Sequence, residues 1–208
     1  MKIRFVITAG PTREHLDPVR FLSNPSTGKM GFAVAAEAAR RGHETVLVAG
    51  PVALETPKGV KRVDVVSARD MLAAVKAAVK PDAILVATAA VADWRPAKCA
   101  AKKLKKGEMS PTLRLVRNPD ILKTVKGVKK IGFAAETNDV LEEAARKCRA
   151  KGLSFIVAND VTKRGSGFGT DTNEVTFVYP DGTLKKLPLM TKRMVAKRIV
   201  DAAEALGC

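Results

Sequence analysis

The stretch FLSNPSTGKMGF near the N-terminus concentrates groups that could bind an anion. Asn24, Ser26, Thr27, Gly28 and Lys29 stand directly before an almost wholly apolar run that predicts a helix. Unpaired amides and the dipole at a helix N-terminus attract negative charge, so we predict a phosphate-binding end here. An ordinary N-cap by Ser26 or Thr27, with the glycine needed for packing, is the simpler alternative, but it requires neither Asn24 nor Lys29.

Two familiar phosphate motifs do not fit this stretch. A nicotinamide-binding fingerprint needs G-x-G-x-x-G after the first strand and an acid at the end of the second, whereas this chain has GPTREH and then VLVAGP. A P-loop needs a glycine five residues before the Gly-Lys pair and Ser or Thr after it, and here Ser23 and Met30 occupy those places. A dinucleotide reductase is therefore disfavoured, and the Gly-Lys pair does not belong to a Walker A motif.

The elements that must position these residues alternate between strand and helix. Strands are predicted by IRFVITAG, TVLVAG, VKRVDVV, DAILVATAAVAD, TLRLVR, KKIGFAAET and SFIVAND. Helices are predicted by MGFAVAAEAARRG, SARDMLAAVKAAVK, NPDILKTV and NDVLEEAARKCRAKG. A β-hairpin, EVTFVY-PDG-TLKKLPL, and a final helix from about Thr191 follow. The pattern predicts an α/β fold with a mainly parallel sheet and helices on both faces.

Capping residues and loops mark the boundaries of these elements. Ser67, with Asp70 three residues later, predicts an N-cap, Asn118 followed by proline predicts another, and Gly152 predicts a helix end. Residues 10–26 form a longer loop than strand-to-helix connections usually have, which indicates function. The basic segment WRPAKCAAKKLKKGEMSP lacks a clear period and predicts a long, mobile loop.

Polar side chains gather where the predicted parallel strands end. These ends are TAGPT, VAGP, TAAVADW, GFAAET and VANDV, and they carry Asp93, Glu136, Thr137, Asn159 and Asp160. Ligands of open α/β sheets bind beyond the carboxyl ends of the strands. We therefore predict one ligand crevice at this edge, although turn-rich strand ends alone would explain the glycines.

Composition limits the number of domains and the kinds of binding partner. A chain of 208 residues with 46% apolar and 4% aromatic residues suits one domain, residues 1–208. The 37 Lys and Arg against 21 Asp and Glu give +16 and favour a polyanionic partner. The lysines are scattered and one Trp and one Tyr are available for base stacking, so a nucleic-acid-binding module is a minor alternative.

Cysteine usage and hydropathy indicate a cytoplasmic protein. Cys99, Cys148 and Cys208 are far apart and lack metal-ligand spacing, so neither a disulfide framework nor a zinc site is expected. The N-terminal apolar run is too short for a signal peptide, and the sequence has no apolar span of the length, about twenty residues, that a membrane helix needs.

Eight motifs in order resemble one family, phosphopantothenate–cysteine ligase of the bacterial type. They are TAGPTREHLDPVRFLSNPSTGKMGF, ATAAVADWRP, KKLKK, RNPDIL, GFAAET, RKCRAK, VANDV and GFGTDTNEV. The resemblance implies a Rossmann-like fold and a homodimer. It also implies a two-step reaction in which the carboxylate of 4′-phosphopantothenate attacks the α-phosphate of CTP, with Mg²⁺, and the amine of L-cysteine then displaces the nucleotide. The metal ligands are not assigned.

The resemblance also assigns roles to particular residues. Asn24 would hold the acyl-nucleotidate with Arg20 beside it, and Lys103 would reach the nucleotide from a flexible flap, across the dimer. These three are the expected catalytic residues, and Arg20, Asn24 and Asn159 are the expected substrate-binding residues. The neighbouring lysines of the flap remain alternatives for its active residue: Lys102, Lys105 and Lys106.

A larger set of residues matches nucleotide-binding positions of the family. They are Gly10, Ser26, Thr27, Gly28, Lys29, Met30, Ala89, Asp93, Lys103, Asn118, Pro119, Asp120, Ile121, Phe133, Lys147 and Lys151. Lys147 and Lys151 are four residues apart, so both should project from one face of their helix. Without the resemblance, this pair would be ordinary surface charge and Phe133 would be core.

Departures from the family pattern limit what is carried over. Pro11 stands where a second glycine is common, so no phosphate contact can come from that amide. Thr27 replaces a frequent serine. Most bacterial relatives carry an N-terminal flavin-dependent decarboxylase half that has no counterpart here, so FMN is not expected and a separate decarboxylase is a possible partner.

Overall fold

The structure, a computed structural model of the chain, describes residues 2–105, 107, 112–136, 138–160, 162–163, 165–167 and 169–207. Glu136 is described for its backbone alone. The expectations for Lys106, Thr137, Cys208 and the side chain of Glu136, and Phe168 of the motif GFGTDTNEV, lie outside the described residues.

Strands and helices alternate over most of the described chain. In chain order the elements are β1 (Arg4–Ala9), β2 (Arg13–His15), β3 (Phe21–Ser23), α1 (Lys29–Arg40), β4 (Glu44–Ala49), β5 (Val60–Asp64), α2 (Ala68–Ala78), β6 (Ile84–Ala87), β7 (Trp94–Pro96), β8 (Leu115–Arg117), α3 (Ile121–Thr124), β9 (Lys129–Glu136), α4 (Val140–Lys151), β10 (Phe155–Asp160), β11 (Thr172–Val178), β12 (Leu184–Thr191) and α5 (Lys192–Leu206).

One large sheet organises the molecule. Eight of the described strands form it in the order β12-β11-β10-β9-β6-β1-β4-β5. The six strands from β10 to β5 pair in parallel, and the C-terminal hairpin β11–β12 extends the sheet in antiparallel fashion. The α/β prediction with a mainly parallel sheet is confirmed, and the hairpin is an edge of the same sheet.

Helices cover both faces of the sheet, as strands buried on both sides require. Along β1, Phe5 and Ile7 point to the core under α1 and α5, whereas Val6 points to the core under α2, α3 and α4. The period of two along a strand explains this division. Because Ala9 and Thr8 continue the same alternation, β1 is buried up to its carboxyl end, where the predicted crevice begins.

Two short antiparallel ribbons were not predicted, although one of their four strands, β8, lies within the predicted strand TLRLVR. Residues 10–26 contain the antiparallel pair β2–β3, and the supposed loop after Asp93 opens with β7, which pairs with β8. The guanidinium of Arg117 lies over the ring of Trp94, 5.2 Å from its centroid, and stabilises that second ribbon. The prediction that Trp94–Pro96 belongs to a loop is therefore wrong, and the central strand β6 is shorter than predicted.

The capping predictions were mostly correct. Ser67 and Asp70 form a reciprocal capping box, and Gly152 ends α4 in the left-handed conformation. The predicted Asn118 cap is wrong, because Asp120 is the N-cap of α3 and accepts a hydrogen bond from the amide of Lys123 at 3.1 Å. The side chain of Asn118 instead donates to the carbonyl of Ala92.

Membrane insertion by a helix finds no support in the described part of the chain. None of the helices there combines the length and the apolar character needed to cross a bilayer.

Candidate functional site

A cavity of about 480 Å³ opens at the carboxyl ends of the parallel strands. Residues following β6 and residues in the carboxyl-terminal half of β9 line it, together with the N-terminus of α1 and the last turns of α4. The predicted site residues that line it are Asn24, Ser26, Thr27, Gly28, Lys29, Met30, Ala89, Asp93, Asn118, Pro119, Asp120, Ile121, Phe133, Lys147, Lys151 and Asn159. Gly10, Arg20 and Lys103 lie outside this lining.

The N-terminus of α1 has no side-chain cap. Gly28 is the N-cap residue with φ +78°, and its amide lies 3.4 Å from the hydroxyl of Ser26. The simpler alternative, a helix capped by Ser26 or Thr27, is therefore wrong. Because no side chain caps the first turn, the amides that begin α1 are available to an anion in the cavity.

Close packing explains why α1 begins above the end of β1. Gly31 faces the sheet so closely that a Cβ atom there would lie 2.5 Å from the Cβ of Ala9. Gly28 lies near Gly10 without such crowding, since a Cβ on Gly28 would lie 3.4 Å from the Gly10 amide nitrogen. Gly10 thus lies directly under the helix start, although it does not line the cavity.

The loops after β1 and β6 are joined around Asn24. The side-chain amide of Asn24 donates to the carbonyl of Ala90 at 3.1 Å, and the amide of Ala90 donates to the carbonyl of Gly10 at 2.9 Å. Asn24 is therefore held at the cavity wall in a defined orientation.

The turn around Asn118 forms the opposite wall. The backbone amide of Asn118 donates to the carbonyl of Asp93 at 2.8 Å, so this turn is tied to the residues after β6. Next to it, the carboxylate of Asp120 pairs with the ammonium of Lys151 at 3.1 Å. Lys147 and Lys151 both line the cavity, as their spacing predicted.

Lys130 supports this wall from below, and the sequence analysis missed it. Its ammonium is buried and donates to the carbonyls of Leu122 at 2.9 Å and Lys151 at 2.7 Å. Burial lowers the pKa of Lys130. The available signal was a lysine directly before the apolar run IGFAA of a predicted strand.

The third wall comes from the C-terminal part of the chain. Lys29 pairs with Asp171 at 2.7 Å. The neighbouring ammonium of Lys192, at the start of α5, is buried and donates to the carbonyls of Gly167 and Thr170. The pKa of Lys192 is lowered, and burial is the largest cause of this shift. The sequence analysis missed Lys192 because it lies in the first turn of a helix, where lysines are usually solvated.

Arg20 and Lys103 are not among the residues that line the cavity. The guanidinium of Arg20 is paired with the carboxylate of Asp17, and Lys103 is exposed. Asp17 was not singled out from the sequence, although it is among the most buried charged residues of the chain.

The lining residues could bind a divalent cation together with the phosphates of a bound substrate. Two carboxylates, Asp93 and Asp120, belong to the lining, and the described residues contain no cluster of three or more His, Cys, Asp or Glu suited to a metal. Mg²⁺ is commonly bound by one or two carboxylates together with substrate phosphates. The residues present fit that mode of binding and do not form a protein-only metal cage.

Comparison with known proteins identifies relatives of the chain. Residues 1–206 match the model of the DNA/pantothenate metabolism flavoprotein C-terminal domain. The coenzyme A biosynthesis bifunctional protein CoaBC of Escherichia coli K12 is 48% identical over 207 residues, which cover 96% of this chain and 51% of that protein. The CoaBC protein of Bacillus subtilis is also 48% identical over 207 residues, covering 97% of this chain and 51% of the relative.

A solved structure shows the same fold. The crystal structure of the C-terminal domain of CoaBC superposes with a TM-score of 0.83 at 43% identity, covering 98% of this chain and 95% of that one. The Rossmann-like expectation is confirmed by this match. The chain spans about half the length of the curated relatives it matches.

Proposed function

Because the chain belongs to the family of DNA/pantothenate metabolism flavoprotein C-terminal domains, we propose that it is a phosphopantothenate–cysteine ligase of coenzyme A biosynthesis. In this proposal it joins 4′-phosphopantothenate and L-cysteine through an acyl-cytidylate. The observation that carries it is the uncapped start of α1 facing a cavity that is also lined by Lys29, Lys147 and Lys151.

The first step forms a bond between carboxylate and nucleotide. An oxygen of the 4′-phosphopantothenate carboxylate attacks the α-phosphorus of CTP, and the bond to the bridging oxygen breaks, so pyrophosphate leaves with its electron pair. Several negative charges meet at this point, and amides and ammonium groups arranged around a cavity stabilise them. The amides of α1 and the ammonium of Lys29 are suited to this task.

The second step transfers the acyl group. The amine of L-cysteine attacks the acyl carbon, the carbon–oxygen bond breaks, and CMP leaves while the amine loses a proton. Neither step needs a protein nucleophile, because both attacking groups belong to substrates, and holding them in line provides much of the acceleration. Asn24, held by Ala90 at the cavity wall, is the residue that we assign to orienting the acyl-cytidylate.

The remaining assignments complete the proposal. Arg20 and Lys103 act on the bound nucleotide or acyl group, with Lys103 coming from the partner of a homodimer, and Asn159 contacts the substrate. Asp93 and Asp120 would hold Mg²⁺, which when bound offsets charge on the triphosphate. A flavin-dependent decarboxylase, separate or fused, would consume the product.

Pyrophosphate release tests the activity and the nucleotide together. Purified protein is mixed with 4′-phosphopantothenate, Mg²⁺ and either CTP or ATP, with and without L-cysteine, and the organic product is identified by mass spectrometry. We expect release with CTP and formation of the cysteine amide only when cysteine is present. Release with neither nucleotide would refute the ligase, and release with ATP alone would refute the choice of CTP. Sedimentation equilibrium of the same preparation tests the homodimer.

A further inference from the structure

Asp17 is a fully buried carboxylate in the turn between β2 and β3. Its Oδ1 accepts hydrogen bonds from the backbone amides of Val19 at 2.8 Å and Arg20 at 2.9 Å. These two bonds close the local turn and would be sufficient for a residue with a purely local role.

The other oxygen of Asp17 reaches a distant part of the chain. Oδ2 accepts from Nε of Arg20 at 3.0 Å and from Nη2 of the same guanidinium, and it also accepts from the backbone amide of Leu104 at 3.3 Å. Nη2 of Arg20 in turn donates to the carbonyl of Leu104 at 3.0 Å. The two side chains therefore bind both backbone polar groups of one residue.

A further backbone contact supports the same junction. The amide of Ala100 donates to the carbonyl of Leu16 at 2.8 Å, so the segment before Leu104 is fixed to the same turn. Lys103 directly precedes Leu104, and consecutive Cα atoms are about 3.8 Å apart. The point from which the Lys103 side chain departs is thus set by Asp17 and Arg20.

The charge of Asp17 is essential to this arrangement. A buried carboxylate is tolerated when its hydrogen bonds and its charge are both matched, and here the guanidinium of Arg20 provides the match. The bonds from Arg20 hold the pKa of Asp17 well below its usual range, so the group stays ionised. Removing one acceptor oxygen would leave the guanidinium and the Leu104 amide without their common partner.

We propose that Asp17 is a positioning residue that holds Arg20 and the segment carrying Lys103 together as one unit, so that Lys103 leaves a fixed point of its own subunit when it reaches the nucleotide across the dimer. The contacts themselves are independent of any activity, but the catalytic consequence rests on the proposed ligase function. Asp17 touches neither substrate nor nucleotide in this proposal and acts through Arg20 and Lys103.

The variant Asp17→Asn tests the contacts of Oδ2 apart from those of Oδ1. The remaining carbonyl oxygen can keep the turn bonds to Val19 and Arg20, whereas an amide group in place of Oδ2 cannot accept from Arg20 or Leu104. We expect native-state trypsin cleavage after Lys103 and Lys105, located by mass spectrometry, to be at least about fivefold faster, since local opening becomes easier. Unchanged cleavage in a folded variant would overturn the proposal.

Asp181→Asn is the matched control. Asp181 also closes a turn, with Oδ1 accepting from the amide of Thr183 at 2.9 Å and Oδ2 from its hydroxyl at 3.0 Å. Both contacts are local, in the exposed connection of the β11–β12 hairpin. Cleavage after Lys103 and Lys105 should therefore stay at the wild-type rate, and an equal acceleration in this control would also overturn the proposal.

A double-mutant cycle tests the catalytic consequence. If Asp17 acts through Lys103, the loss in kcat caused by Asp17→Asn should be smaller in a Lys103→Gln background than in the wild type, because residues acting as one unit are not additive. An equal fold-loss in both backgrounds would contradict the proposal. A role limited to overall stability predicts that equal loss.

Hydrogen exchange of the unmodified chain covers the case in which Asp17→Asn does not fold. The Leu104 amide should exchange at least about tenfold more slowly than its intrinsic rate, because it is hydrogen-bonded to a buried acceptor. Exchange at the intrinsic rate would refute the contact. Proteolysis and exchange need no turnover, so an absence of ligase activity would refute the proposed function and leave these two readouts to decide on Asp17.

Discussion

At the scale of single residues, the cavity holds its cations in place before any ligand enters. Lys29 is paired with Asp171, Lys151 is paired with Asp120, and Lys192 is bound by backbone carbonyls. These partners fix long, flexible side chains whose ordering would otherwise oppose binding. An incoming triphosphate has to exchange with Asp171 and Asp120, which favours ligands of high negative charge over neutral ones.

Asn24→Asp should separate the two proposed steps. A carboxylate in this position lacks the donor that binds the carbonyl of Ala90, and it places a negative charge beside the acyl-cytidylate. We expect pyrophosphate release to remain measurable and formation of the cysteine amide to fall at least about tenfold, since roughly 1.4 kcal/mol lost from the transition state costs that factor. Both products are measured in the same reaction.

Stability provides the control for Asn24→Asp. The residue is half-buried, so losing its hydrogen bond to Ala90 should lower the free energy of unfolding by only about 1 kcal/mol, measured by urea denaturation. Product formation at the wild-type rate would contradict the assigned role, and so would an equal loss of pyrophosphate release and amide.

Lys103→Gln should reduce turnover without reducing stability. The side chain is exposed, so its replacement removes no packing, whereas a cation that reaches a bound triphosphate contributes through charge. We expect kcat/KM for CTP to fall about tenfold to a hundredfold, a loss of about 1.4 to 2.7 kcal/mol. Steady-state kinetics with a thermal melt measures both properties.

The neighbouring lysine offers a matched control for that experiment. Lys102→Gln makes the same chemical change one residue earlier, also at an exposed position. If Lys103 is the active lysine of the flap, Lys102→Gln should change kcat/KM less than about twofold, because a solvated charge contributes little. A larger effect of Lys102→Gln than of Lys103→Gln would assign the role to Lys102 instead. Equal effects of the two variants would show that net charge, and no particular lysine, is responsible.

At the scale of elements, periodic patterns in the sequence predicted the buried strands and the long helices. Phe5 and Ile7 alternate with Val6, and this alternation is physically tied to burial on two faces. The three-residue strand β7 is too short to show a period and pairs with a strand far along the chain, so local sequence does not contain its signal, whereas β8 lies within the predicted strand TLRLVR. Predictions of capping succeeded at Ser67 and failed at Asn118, because tertiary contacts with Ala92 decided the second case.

The candidate site was predictable to a similar degree. Asn24, Lys29, Lys147 and Lys151 follow from helix position and family resemblance, and all four line one cavity. Asp17 was missed because its role depends on a contact with a residue far along the chain, whereas DPVR alone indicates an ordinary turn. Such long-range partners appear only once the fold brings them together.

Gly31→Ala tests the close approach of α1 to β1. Alanine favours a helix over glycine by about 1 kcal/mol, so propensity alone predicts a more stable protein. The added Cβ would lie 2.5 Å from the Cβ of Ala9 and 3.1 Å from its Cα, and overpacking typically costs about 1 to 3 kcal/mol. We expect a net loss of stability in urea denaturation and weaker nucleotide binding, because the helix start moves away from the cavity.

Ala36→Gly on the exposed side of α1 is the control for Gly31→Ala. It removes helix propensity without altering the contact with β1 and should cost about 1 kcal/mol with nucleotide binding unchanged. A Gly31→Ala protein that is more stable than the wild type and binds nucleotide normally would contradict the packing argument.

At the scale of the whole molecule, an ion-pair network joins the first helix to the last. Glu37 in α1 is buried and accepts hydrogen bonds from Arg40 and Arg41, each at 2.8 Å. Arg41 also pairs with Asp201 and Glu204 of α5, both at 2.7 Å. The network fixes the end of α1 that is distant from the cavity, so it helps to set the direction in which the uncapped N-terminus points.

Glu37→Gln should reveal this network through the pH dependence of stability. Hydrogen bonds from Arg40, followed by those from Arg41, lower the pKa of Glu37 from 4.5 to about 2 in the folded chain. A carboxyl group with a lowered folded pKa stabilises the fold above its unfolded pKa, and that contribution disappears as the pH falls from about 4.5 towards 2. The wild type should therefore exceed the variant by about 2 to 3 kcal/mol at pH 7, and by progressively less below pH 4.5.

Urea denaturation of both proteins between pH 7 and pH 3 measures this difference, and taking the difference cancels the carboxyl groups they share. Glu143→Gln is the control, because the partly exposed Glu143 pairs within α4 with the exposed Arg146, where solvent screens the charges. Its stability difference from the wild type should be much smaller than that of Glu37→Gln at pH 7. If the Glu37→Gln difference is the same at pH 7 and pH 3, ionised Glu37 does not hold α1 against α5, and packing of the apolar faces alone sets the direction of the helix.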